Sequence, residues 1–277
     1  VVISVTASGR SPITATVNSR PAMKRSSSCL LLVPLLLHWC AAALGGDVDQ
    51  PGIQRGSFDI KRTASELVDP ATLQGMADIL DADAKINWQV YVPANYDPGK
   101  PAGVLVYVSP MPMGQMPNGW QPLFDEENLI YISADRSGNR TLTKRRMLYA
   151  ALAPYVLAET YAIDPARIYV SGFSGGGKVA SIAVIQFASL FTGAIYVCGV
   201  EFWSEIPPAL RSRVMSNRYV FLTGGRDFNR DLTKNIYRQY ERAGVANIHL
   251  MDIAGMGHDE PERERFREAI HYLDGGE

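Results

Sequence analysis

The sequence predicts an α/β fold built on a mostly parallel sheet with helices on both faces. Three observations predict it. Short apolar segments of strand character alternate with helical segments over residues 88–273, the order that parallel strands with helical crossovers require. Turn-rich segments such as 93–101 separate the strands. One apolar strand, ending at Ser171, runs straight into Gly172-Phe173-Ser174-Gly175-Gly176, and a long apolar stretch without proline follows. That is strand, sharp turn and helix in direct succession.

The bulk numbers agree with one large domain. The 277 residues are 47% hydrophobic and 20% charged, with a formal net charge of -1. The length supports a well-buried core. No long run of one charge sign points to nucleic acid or to an acidic polymer as partner.

Residues 1–22 resemble neither a targeting sequence nor structure and are expected to precede the true start. From Met23 the chain reads Lys24-Arg25, then a leucine-rich block over 30–37, then Ala41-Ala42-Ala43. A basic start, a short apolar core and a small-residue site make residues 23–43 an expected secretory signal peptide. The apolar block is too short for a spanning anchor, so no membrane association is expected after its removal, and a secreted or periplasmic location is. Cys29 and Cys40 fall in that leader. A lipoprotein site at Cys40 competes weakly, because His38 and Trp39 replace the small residues it needs. Cys198 alone remains, read as a small buried strand residue rather than a nucleophile.

Residues 44–56 read as a polar linker and 57–277 as the catalytic domain. Within it, 88–92 and 104–109 read as strands joined by the turn-rich segment 93–101, and 129–134 as a third strand. Residues 142–160 are helical, with Pro154 as a point of kinking. Residues 168–171 form the strand before the serine turn and 176–188 the helix after it. Strands over 194–199, 219–223 and 248–253 and helices over 230–243 and 262–273 complete the pattern. The segment 200–217 carries Pro207-Pro208 and is too short for a separate lid, which predicts an open site.

A serine held in such a turn points its hydroxyl above the sheet end, and the N–H groups of the following helix face a developing negative charge. The rival is a phosphate-binding loop, because Gly172 to Lys178 matches its first seven positions. Val179 stands where that loop needs a hydroxyl for Mg²⁺. A Gly-rich turn without chemistry is the bland reading. A serine nucleophile needs a base, and the base needs an orienting carboxylate. Asp227 follows the strand over 219–223 in Gly224-Gly225-Arg226-Asp227, where a plain turn aspartate competes, and Asp231 is a weaker rival. His258 follows the last strand in Gly255-Met256-Gly257-His258; a surface loop histidine is the competing reading. His38, His249 and His271 lie in leader, strand and helix. Asp259 and Glu260 beside it have no second His or Cys at ligand spacing, so no metal or other cofactor is expected.

The order Ser174, Asp227, His258 suits loops at the carboxyl edge of a parallel sheet. The oxyanion donors are expected at the N–H of Gly175 and, after the strand over 104–109, at Met111, with Met113 as alternate, since Pro110 and Pro112 have no N–H. Met113, Trp120 and Trp203 are candidate walls of an apolar acyl pocket, with ordinary packing as the competing reading.

On Gly172-Phe173-Ser174-Gly175-Gly176, Gly224-Gly225-Arg226-Asp227 and Gly255-Met256-Gly257-His258, with residues 90–93 and the loop and strand after them, the chain resembles the α/β-hydrolase superfamily. Within it the likeness is to extracellular esterases grouped with polyhydroxybutyrate depolymerases and feruloyl esterases, over residues 85–277. The resemblance implies Ser174 as nucleophile, Asp227 as acid and His258 as base, acting on a small or oligomeric ester. The chain departs from the family in having Ser109-Pro110 where a His-Gly pair is common, and in lacking disulfides and an appended binding domain. Oligomeric or soluble esters are therefore expected before crystalline polymer. A non-catalytic binding protein and a peptidase on the same scaffold are the alternatives.

Overall fold

The computed structural model describes residues 53–203 and 205–276. The leader, the upstream segment, Cys29 and Cys40 lie outside them.

Eight strands form one sheet: Gly56–Thr63 (β1), Lys85–Val92 (β2), Ala102–Val108 (β3), Leu129–Ala134 (β4), Ile163–Phe173 (β5), Gly193–Val197 (β6), Arg218–Gly224 (β7) and Asn247–Ile253 (β8). Their spatial order is β1-β2-β4-β3-β5-β6-β7-β8. β1 pairs antiparallel with β2 and β2 antiparallel with β4, while every later pairing is parallel. Helices Gln121–Glu126 (α1), Thr143–Ala158 (α2), Gly175–Gln186 (α3) and Arg230–Arg242 (α4) lie in connections between strands, and Arg263–Leu273 (α5) follows the last strand.

Strand alternation divides the interior into two cores, one on each sheet face. Val104, Val106 and Val108 of β3 join the first core with Tyr196, Tyr219 and Phe221, under α2, α3 and α4. Leu105 and Tyr107 join the second with Ile195, Val197, Val220 and Leu222, under α1 and α5. Each such side chain removed from water contributes about 1.5–3 kcal/mol. Both faces being covered explains why β3, β4 and β6 are buried along their whole length.

α2 continues without a break through Pro154. β5 is longer than its apolar segment, because Ala102 pairs with Ile163 before a register shift brings Val104 opposite Ile168. β1 was not foreseen. It is an edge strand whose burial alternates between half-buried and exposed, so its hydrophobic signal is weak. The short helices at Ala64–Leu67, Pro70–Gly75, Gln121–Glu126 and Arg211–Ser216 span too few turns to show a 3.6-residue period. One of them did carry a local signal: Pro70 opens it and Asp69 Oδ1 accepts the Thr72 N–H at 3.0 Å.

Candidate active site

Three loops at the carboxyl ends of parallel strands meet above the sheet edge. The first is the turn from β5 into α3. Ser174 sits there at φ 54° and ψ -118°, outside the favoured regions for a residue with a side chain. Close backbone approach holds it there. A Cβ on Gly176 would lie 1.7 Å from the Val108 carbonyl oxygen, and one on Gly199 would lie 2.0 Å from the Ser174 carbonyl oxygen. Neither position admits any other residue without moving backbone.

The second loop follows β7 and carries Asp227, the third follows β8 and carries His258. His258 Nε2 lies 2.9 Å from Ser174 Oγ, and His258 Nδ1 lies 2.7 Å from Asp227 Oδ1. The Asp227 carboxylate is fully buried. Its Oδ1 also accepts the Asn229 N–H at 3.0 Å, and its Oδ2 accepts the Thr223 hydroxyl at 2.7 Å. Burial by itself would raise the Asp227 carboxyl; bonds from Thr223, Asn229, His258 and the Cys198 thiol outweigh it and hold it below the ordinary carboxylate value. Asp227 is therefore an anion at neutral pH, and His258 Nδ1 is the donor toward it. That tautomer leaves Nε2 as the acceptor facing Ser174. Asp231 is exposed in the first turn of α4 and takes no part.

Two rings touch the imidazole. Phe228 stacks on it at 3.9 Å between centroids and Phe173 tilts against it at 4.9 Å. Phe228 is nevertheless 76% exposed, so its other side faces solvent. Cys198 is buried, as expected, but stands one residue beyond β6 at φ 51° rather than within the strand. Its Sγ reaches the Asp259 carbonyl at 3.6 Å, and burial pushes the thiol well above its ordinary value. Cys198, Asp227 and His258 bring ligand-type atoms within 4.8 Å of one another. All three already hydrogen-bond within the network around Asp227, and burial holds the thiol protonated.

The loop after β3, expected to supply an oxyanion donor, differs in detail from its expectation. Met111 and Met113 are exposed on it, but the Met111 N–H donates to Ser109 Oγ at 3.1 Å. The candidate donor is thus occupied by a side chain of its own loop. Gly175 opens α3, where the first N–H groups have no intrahelical acceptor.

Trp203 and Trp120 separate. Trp203, with Phe202, lines a cavity of about 440 Å³ that has Gly175, Val179 and Ile182 in its wall. Trp120 does not line the cleft, which corrects the sequence expectation. It is 1% exposed, stacks on Phe266 at 3.9 Å and donates its Nε1–H to the Pro261 carbonyl at 3.2 Å. Together with Tyr107, whose hydroxyl donates to Glu260 Oε1 at 2.5 Å, it pins the far end of the His258 loop. Trp120→Ala is expected to lower unfolding stability by about 3–5 kcal/mol while leaving KM for small esters unchanged at permissive temperature. Paired denaturant melts and kinetics would check both parts.

Sequence reasoning missed Thr223, Phe228, Asn139 and Arg146. Thr223 sits at the end of β7 and Phe228 beside Asp227, so proximity in the chain could have raised them. Asn139 lies in a loop whose neighbours carry no motif. Arg146 follows Lys144 and Arg145 in the first turn of α2 and reads as part of a solvated basic face.

No family model and no curated protein sequence matches the chain. Solved structures do. The feruloyl esterase module from Clostridium thermocellum, complexed with sinapinate, aligns with TM-score 0.59 and 12% identity over 79% of this chain and 88% of its own. S-formylglutathione hydrolase from Staphylococcus aureus aligns with TM-score 0.55 and 12% identity over 78% of this chain and 98% of its own. A candidate dipeptidyl aminopeptidase IV from Bacteroides ovatus aligns with TM-score 0.55 and 17% identity over 80% of this chain; the chain spans only 36% of that larger protein. The topology and these likenesses place the chain in the α/β-hydrolase fold.

Proposed function

We propose that the protein is a serine hydrolase that cleaves carboxylic esters through an acyl-enzyme on Ser174. The observation that carries this reading is the continuous chain from Ser174 Oγ to His258 Nε2 at 2.9 Å and from His258 Nδ1 to Asp227 at 2.7 Å, set on a strained turn that aims the hydroxyl outward. His258 Nε2 takes the hydroxyl proton as Ser174 Oγ bonds to the carbonyl carbon. Asp227 stabilises the imidazolium so formed. The negative oxygen is received by the Gly175 N–H, and by the Met111 N–H once it exchanges the Ser109 hydroxyl for substrate. Collapse expels the alcohol, which takes the proton from His258, and water releases the acid by the same steps in reverse roles.

The cavity beside Gly175 suits one half of a small ester, since its volume lies in the range of small-molecule sites. Phe202 and Trp203 offer aromatic surface there, beside the polar and charged Asn139, Arg146, Lys178, Glu201 and Glu205. Feruloyl-type esters and short polyester oligomers fit that description, and the feruloyl esterase neighbour supports the first of them. The leader over 23–43 supports export. Among the described residues no helix is long and apolar enough to cross a membrane. A peptidase is the second reading, favoured by the aminopeptidase-like neighbour on the same fold. Matched ester and anilide substrates separate the two: the proposal expects p-nitrophenyl acetate to be turned over at least 10³-fold faster than the corresponding anilide, with a burst of p-nitrophenol. An equal rate on the anilide would favour the peptidase, and no labelling of folded protein by a fluorophosphonate would end both.

A further inference from the structure

Arg146 is 4% exposed, and no carboxylate pairs with it among the described residues. Its Nη2 donates to the Ser109 carbonyl at 3.0 Å. Its Nη1 reaches the Gly175 carbonyl at 3.3 Å and Asn139 Oδ1 at 3.4 Å, both looser contacts. Its Nε is buried and finds no partner among the described residues. Burial without a counter-ion brings its guanidinium down to about 10, which still leaves it charged at neutral pH. An unpaired buried cation is costly to a fold, and a backbone N–H or side-chain donor left without an acceptor adds to that cost. Proteins retain such costs where function depends on them.

The three acceptors say what the function is. Ser109 begins the loop of Met111, and its own hydroxyl accepts the Met111 N–H. Gly175 carries the other oxyanion N–H. Asn139 bridges the two: its N–H donates to the Pro110 carbonyl at 2.9 Å, and its side chain packs so closely that a Cβ on Gly175 would lie 2.1 Å from Asn139 Oδ1. One guanidinium therefore ties both sides of the oxyanion site. It is poorly suited to hold a substrate anion, since its Nε is sealed off. The cavity it borders also carries Lys178, Glu201 and Glu205, so the charges around that space cancel.

We infer that Arg146 is a positioning residue that fixes the spacing between the Met111 and Gly175 N–H groups, so that both are in place before the negative oxygen forms. This rests on the ester-hydrolase reading. Its effect appears in the transition state rather than in substrate binding, because the donors must be aligned for an oxyanion and not for a ground-state carbonyl.

The test is Arg146→Met, with Arg146→Lys beside it, read on p-nitrophenyl acetate turnover, on the affinity of a boronic acid that forms a tetrahedral adduct with Ser174, and on thermal midpoint. Loss of one oxyanion donor typically costs about 10²–10³-fold in kcat. Arg146→Met is expected to lose about 10²-fold in kcat and a similar factor in boronate affinity. KM should stay within about threefold and the thermal midpoint should be unchanged or higher, because an unpaired buried charge has gone. Arg146→Lys, which retains charge but cannot span two carbonyls, should lose about tenfold in kcat with KM unchanged. Wild-type kcat in Arg146→Met overturns the inference. So does a kcat loss without a matching loss of boronate affinity. If Arg146→Met does not fold, wild-type kcat in Arg146→Lys overturns it equally. Failure of the ester-hydrolase reading looks different: the wild-type protein itself would neither turn over the ester nor take a fluorophosphonate label.

Discussion

Ser174→Ala is expected to lower ester turnover by about 10⁶-fold and to abolish fluorophosphonate labelling, with the thermal midpoint close to wild type. The magnitude follows from a triad acting as a unit, in which losing the nucleophile costs nearly as much as losing every member. Turnover of p-nitrophenyl acetate by purified variant and wild type, read with intact-protein mass after labelling, would measure it. The stability expectation is specific to this turn. Ser174 holds φ 54° because Gly172, Gly176 and Gly199 let strands and helix close in on it, not because its hydroxyl caps the helix, and its side chain makes no cap bond. Alanine retains the Cβ and with it the same backbone strain, so little folding energy changes hands. A variant that retains more than about one part in 10³ of the activity would mean that the chemistry is done elsewhere.

How much of this was legible beforehand depended on how local each signal was. β3, β4, β6 and β7 are apolar runs with both faces covered, and the strand–turn–helix at Ser174 is contiguous in sequence, so each announced itself. The same holds for Asp227 and His258, which stand in glycine-containing turns just after their strands. What could not be read was set by contacts that only the folded chain makes. Trp120 has the residue type of a pocket wall, yet Phe266 and Pro261 claim it from 141 residues away in the second case. Met111 was placed on the loop after β3, but only the folded turn shows Ser109 Oγ on its N–H. Arg146 lay in a basic triplet that reads as solvated surface, and the approach of α2 to the β3 and β5 loops is what buries it. Residue type and order along the chain are local facts, while hydrogen-bond partners belong to the packing.

Asp227→Ala is expected to lower kcat by about 10⁴-fold, because the imidazolium loses its compensating charge and the ring loses the acceptor that sets its tautomer. Asp227→Asn should be at least about tenfold less damaging than alanine, and the reason lies in the surroundings of the carboxylate. Oδ1 accepts two N–H donors, from His258 Nδ1 and Asn229, whereas Oδ2 accepts the Thr223 hydroxyl. A side-chain amide put there meets the backbone N–H of Asn229 if its nitrogen takes the Oδ1 position, which places two donors against each other. The nitrogen therefore goes toward Thr223, whose hydroxyl rotates to accept it, and the oxygen remains facing His258. The tautomer survives and only the charge is lost. The native carboxyl is held below its ordinary value, so its ionised form adds stability that is complete above the unfolded carboxylate range, about pH 3.9, and fades as pH falls through the folded value. Both variants should accordingly lose less stability than wild type as the pH falls below about 4. Comparing kcat/KM of the two variants decides the orientation: equal losses for asparagine and alanine would mean that the amide nitrogen faces His258, and an alanine variant within about tenfold of wild type would mean that the stacked Phe228 and Phe173, rather than Asp227, hold the imidazole in place.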